Sequence, residues 1–150
     1  MNPVGMIGKL GLLAALAAWP VSAQQPTARD SAAVGCYVLS WTSESSVHAP
    51  APDTIALTLL PGWRERTFAV RGDAAWEGRN RGGHLYWQHL SADTVLVVST
   101  DGFSGVGLRL VPAPAGLRGF AKYGSDELSE MDRWPTWKVD ARRTACLGFR

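Results

Sequence analysis

The chain is poor in the residues that most chemistry needs. It has two cysteines, three histidines and 19% charged residues in a length of 150. Two cysteines cannot build a thiolate metal cluster and leave room for one disulfide, Cys36 to Cys146. His84 and His89 fall five apart in one strand-like segment, which sends them to opposite faces, and His48 sits in an Ala- and Pro-rich loop, so no metal site is expected. No segment past the first two dozen residues is apolar for long enough to cross a membrane as a helix. Sustained 3.6-residue periodicity is absent too, which excludes crossover helices and with them a parallel βαβ sheet.

Residues 1–23 carry one cation, Lys9, then an apolar stretch, a Trp19-Pro20 break and a small-residue end, Val21-Ser22-Ala23. This is the pattern of a secretory signal peptide with an A-x-A-like cleavage site, so a secreted or periplasmic protein is expected, with no integral membrane segment after cleavage. Ala33-Val34-Gly35-Cys36 has the outline of a lipobox, but residues 24–31, with Arg29 and Asp30, separate it from the apolar region. Residues 24–33 read as a disordered polar leader and 34–150 as one domain. Cleavage leaves 127 residues, enough for a substantial core, and loss of Lys9 lowers the formal charge from +2 to +1. That balance does not steer the protein toward nucleic acid or an anionic membrane, and a monomer is expected.

From Gly35 onward the chain alternates. Tyr37, Leu39 and Trp41 share one face; so do Ile55, Leu57 and Leu59 in 54–60, which stops at the turn pair Pro61-Gly62. Further strands are expected at 65–70, 84–90, 93–100, 103–111, 117–123 and 136–146, with 74–79 a short Gly-flanked connection. Asp101-Gly102 predicts a two-residue type I′ hairpin. Segment 124–134 alone has helical character, with Ser129 and Asp132 spaced to cap a turn.

An exported chain favours the Cys36–Cys146 disulfide, and that bond constrains topology. Its Cα atoms must approach within about 4.4–6.8 Å. In an antiparallel meander, the start of the first strand and the end of the last meet only when the strand count is even. The expected fold is therefore all-β: an antiparallel up-and-down meander of about eight strands closing into a barrel, with a two-sheet sandwich as the alternative. The expected core is Tyr37, Leu39, Trp41, Ile55, Leu57, Leu59, Leu85, Trp87, Val106, Leu108, Leu110, Leu117, Ala121, Trp137 and Val139.

An N-terminal strand beginning Gly35-Cys36-Tyr37, a run of hairpins and Arg143 on the last strand together resemble a lipocalin-type, or calycin, barrel. In that family a Gly-x-Trp on the first strand packs under an Arg from the barrel's end; here Tyr37 stands at the Trp position and Arg143 at the Arg position. The resemblance implies a small apolar or amphipathic ligand in a lumen, and the ligand-binding candidates are Tyr37, Trp41, Trp87, Trp137 and Arg143. A packed core would use the same tryptophans. Trp63 and Trp134 lie beside turns and suggest an alternative, a protein-interaction or carbohydrate-binding module.

Catalytic signals are weak. Gly102-Phe103-Ser104-Gly105-Val106 falls one glycine short of a nucleophile elbow and lies in a hairpin, whereas the elbow joins a strand to a helix. Acidic residues scatter through turns, so no carboxylate pair can be nominated. No catalytic residue, cofactor or metal is assigned, and a non-enzymatic binding protein is expected.

Overall fold

The computed structural model describes residues 25–42, 52–73, 82–125 and 136–147. It consists of one short helix, α1 (Ala28–Ala33), and eight strands: β1 (Gly35–Thr42), β2 (Thr54–Pro61), β3 (Phe68–Gly72), β4 (His84–His89), β5 (Val95–Thr100), β6 (Ser104–Ala113), β7 (Gly116–Ser125) and β8 (Thr136–Thr144). Each strand pairs antiparallel with the next, and β8 returns to β1, with Tyr37 opposite Arg143 and Trp41 opposite Val139. The meander is therefore a closed barrel, not a sandwich.

The two-residue alternation of the sequence becomes the inside and outside of the wall. On β8, Trp137, Val139 and Ala141 are buried while Thr136, Lys138 and Asp140 are exposed. Every residue of the expected core is buried or, for Trp41, Leu59 and Leu85, packed against it, joined by Phe68, Val70, Val95, Val97 and Ala141. Apolar side chains inside and charged ones outside are the reverse of a lipid-embedded barrel, whose outer band is apolar. No described helix is long and apolar enough to cross a membrane.

Gly119 marks a close approach of β7 to the β6 backbone. It faces inward between Leu110 of β6 and Val139 of β8, and a Cβ there would collide with the Arg109 carbonyl oxygen. A side chain is excluded because the β6 backbone occupies its place.

The disulfide forms between Cys36 and Cys146 with the Cα atoms 5.2 Å apart, and no described cysteine is free. Cys36 opens β1, whereas Cys146 follows the last residue of β8 by two positions.

Two expectations are corrected. Residues 28–33 of the supposed leader form α1, because Thr27 and Asp30 make a capping box: Thr27 Oγ1 accepts from the Asp30 amide, and Asp30 Oδ2 accepts from the Thr27 amide at 2.6 Å. The helix then buries Asp30 and Ala33 against the barrel. The β5–β6 connection is a three-residue loop, not a two-residue turn. Asp101 Oδ1 accepts from the amides of Phe103 (2.9 Å) and Ser104 (2.7 Å), which draws a third residue into the turn while Gly102 supplies the positive φ of 100°. His48, Trp76, Trp134, segment 74–79 and most of 124–134 lie outside the described residues.

Candidate functional site

Strand direction sorts the connections into two ends. The mouth has the last residues of β1, β3 and β7 and the Asp101–Phe103 loop. The base carries α1 and the turns β2–β3, β4–β5 and β6–β7.

At the base, Tyr37 and Arg143 lock together across the β1–β8 seam. The Arg143 guanidinium lies 5.5 Å from the centre of the Tyr37 ring, and its Nη2 donates to Tyr37 Oη at 3.0 Å, to Ala32 O at 2.9 Å and to Val34 O at 3.0 Å. Tyr37 Oη in turn donates to Ala33 O at 2.8 Å. The last carbonyls of α1 and its exit, which a helix leaves without intrahelical partners, are thus satisfied by one guanidinium and one phenol. Arg143 N also donates to Ala115 O at 2.9 Å, which ties in the β6–β7 turn.

Around this lock lies a half-open cleft of about 460 Å³, within the range of small-molecule sites. Arg29, Ala32 and Ala33 of α1 form one wall, Ala92 and Asp93 a second, and the Pro112–Leu117 segment a third; Tyr37, His89, Val95 and Arg143 form its floor. The lining is mainly apolar, with the cations Arg29 and Arg143 on it. On the other side of α1 a second cleft, of about 650 Å³, is lined by Asp30, Arg66, Phe68 and Gln88, and shares Arg29 and His89 with the first.

His89 lies under α1. Its imidazole meets the Trp87 ring edge-on at 5.8 Å, and its Nε2 stands 3.7 Å from Asp30 Oδ1, beyond hydrogen-bond reach. Both imidazole nitrogens are buried with no hydrogen-bond partner among the described residues. His84, as its odd spacing from His89 requires, faces outward and stacks on Trp63 at 3.8 Å. Ser104 stands at the mouth, donating to Asp101 Oδ2 at 3.1 Å, a barrel length from His89 at the base end of the same sheet.

Of the five sequence-nominated ligand residues, the structure brings Tyr37 and Arg143 together in the base cleft. Trp87 and Trp137 are sealed in the interior at 0% and 2% exposure, and Trp87 Nε1 donates to Thr58 O at 2.8 Å. Trp41 lies near the mouth, partly buried, and its Nε1 has no acceptor among the described residues. Arg29, Ala92, Asp93 and the Pro112–Leu117 turn were missed as cleft residues. A Thr-x-x-Asp capping box at 27–30 was the signal that could have placed α1 across the base.

No family model matches the chain, and no match is found among curated proteins or solved structures.

Proposed function

We propose that this protein is an extracytoplasmic, non-catalytic binding barrel of lipocalin type whose small amphipathic ligand occupies the base cleft under α1. The observation that carries this reading is the cleft of about 460 Å³, whose mainly apolar lining includes two cationic residues, Arg29 and Arg143, against one carboxylate, Asp93. Such a lining suits a ligand with a short apolar body and one anionic head. The Tyr37–Arg143 packing is the contact that the calycin resemblance implies, and the disulfide fits an oxidising compartment.

The test is titration of the protein with 1-anilinonaphthalene-8-sulfonate, an apolar body bearing one anionic group, alongside native mass spectrometry of protein isolated from its own host. Ala92→Trp adds an indole to an exposed wall of the cleft without entering the core. Saturable binding that Ala92→Trp abolishes supports the reading; binding unchanged by Ala92→Trp overturns it.

A second reading has its own support. Trp63 is 47% exposed, stacked on His84 with the Arg64 guanidinium 4.8 Å from its ring centre. This is an aromatic platform on the outer wall, suited to a sugar or a protein partner. Glycan-array binding lost in Trp63→Ala would favour it.

A further inference from the structure

The register of β6, β7 and β8 assembles an outer face that neither clefts nor core require. Phe120, on β7, stands opposite Arg109 of β6 on one side and Lys138 of β8 on the other. Two residues along its own strand in either direction lie Arg118 and Lys122. All five side chains are exposed, Phe120 by 55%. Cross-strand neighbours stand about 4.8 Å apart and alternate residues of one strand about 7 Å apart, so four cations surround one aromatic ring within a single patch. Val111, 44% exposed, lies diagonal to Phe120 and opposite Arg118. Arg142 extends the patch, and its only carboxylate among the described residues is Asp140, which accepts from Arg118 Nε at 2.8 Å.

We infer that this face docks the barrel on an anionic lipid surface, with Phe120 and Val111 entering the boundary between headgroups and acyl chains and the surrounding cations at the level of the phosphates. Among the described residues this face carries five cations against one carboxylate, in a chain whose formal charge is only +2, so the described part of the wall is strongly positive here. Charge complementarity therefore requires an anionic partner. The apolar side chains choose among anionic partners: a dissolved polyanion offers Phe120 and Val111 nothing to enter, whereas a bilayer presents phosphates and hydrocarbon at adjacent depths. Long Arg and Lys side chains can keep their charges at the phosphate level while the ring between them goes deeper.

The experiment is co-sedimentation of the full chain with vesicles of phosphatidylcholine containing 30% phosphatidylglycerol, beside vesicles of phosphatidylcholine alone. Binding is expected on the anionic vesicles, much weaker on the neutral ones, and suppressed by 1 M salt. The double variant R109Q/K138Q should weaken binding about thirtyfold. Phe120→Ser should weaken it several-fold even at low salt, while Arg109→Lys should preserve it. Thermal melts matching the native chain show that the exposed replacements leave the barrel intact. Binding by the apolar N-terminal segment would be the same in every variant, so equal binding by native and variant chains overturns the inference. So does tight binding of heparin or duplex DNA that is insensitive to Phe120→Ser, since the face would then be a polyanion site.

Discussion

Tyr37 and Arg143, 106 residues apart, share one hydrogen bond of 3.0 Å and hold the barrel shut at its base. The phenol accepts from the guanidinium and donates to Ala33 O, so it is the central link between β8, β1 and α1. Replacing Tyr37 by Phe keeps the ring but removes both bonds, leaving the Ala33 carbonyl without this donor in a buried setting. The expected loss is about 1–3 kcal/mol in urea unfolding, with proteolysis between α1 and β1 accelerated. An unchanged urea midpoint would mean that the phenol oxygen does not secure the helix.

The Cys36–Cys146 bond closes a loop of 110 residues. Chain entropy places its contribution near 4–5 kcal/mol, an upper figure because strain and residual denatured structure reduce it. Non-reduced mass spectrometry should find no alkylatable thiol, and the double replacement C36A/C146A should lower the denaturation midpoint strongly. Two reactive thiols in protein recovered from its native compartment would refute the bond.

Trp87 and Trp63 should respond oppositely to removal. Trp87→Phe loses the bond to Thr58 O and opens a void in a site with no exposure, at a cost of about 2–4 kcal/mol. Trp63→Ala removes a half-exposed ring and should change stability by less than about 1 kcal/mol. Paired chemical denaturation curves compare them directly, and equal losses would contradict the burial pattern.

Gly119→Ala should be among the most damaging single-methyl changes in the chain. The added Cβ meets the Arg109 carbonyl oxygen, which is ladder backbone and cannot swing away as a side chain could. Separation of β6 from β7 should cost about 1–3 kcal/mol or more and raise amide exchange along both strands. Native-like exchange in this variant would show that the strands do not approach so closely.

Asp101 provides a pH test. Amide hydrogen bonds from Ser104 and Phe103 hold its carboxyl below the usual value of 3.8. A depressed folded-state value means that its support for the β5–β6 loop is present in full above that figure and disappears as pH falls through the lower folded value. Side-chain carbon NMR should show Asp101 titrating below 3.8. Exchange protection of the Phe103 and Ser104 amides should fall in the same acidic window; titration at or above the ordinary value would remove the loop contact.

Much of the barrel could be read from the chain because alternation is a local property. Ile55, Leu57 and Leu59, or Trp137 and Val139, declare their face by spacing alone, and the cysteine pair, read as one disulfide, converts strand number into an even count. The base cleft was less legible. Tyr37 and Arg143 were reachable through a family resemblance, but the cleft's walls come from α1 and two turns that carry no periodic signal. The Thr27–Asp30 box has no amphipathic pattern beside it to mark a helix, because six residues are too short to show one. Asp101-Gly102 suits a three-residue loop as well as a two-residue turn, because the aspartate side chain can cap two amides.

What the sequence alone determined was the inner face of most strands, though not of β3 or β5, whose Phe68, Val70, Val95 and Val97 join the core only in the structure, and the pairing of its two cysteines. Those follow from two-residue spacing, composition and count, which need no knowledge of distant neighbours. Only the tertiary structure decided between closed barrel and sandwich, that α1 folds across the base to make a cleft, and that β8 brings Lys138 beside Phe120 to join Arg109, Arg118 and Lys122. The physical reason is that cross-strand register joins residues from separate parts of the chain: a charge balance near neutrality in sequence becomes a one-sided field only when closure of the barrel sets those residues in adjacent rows.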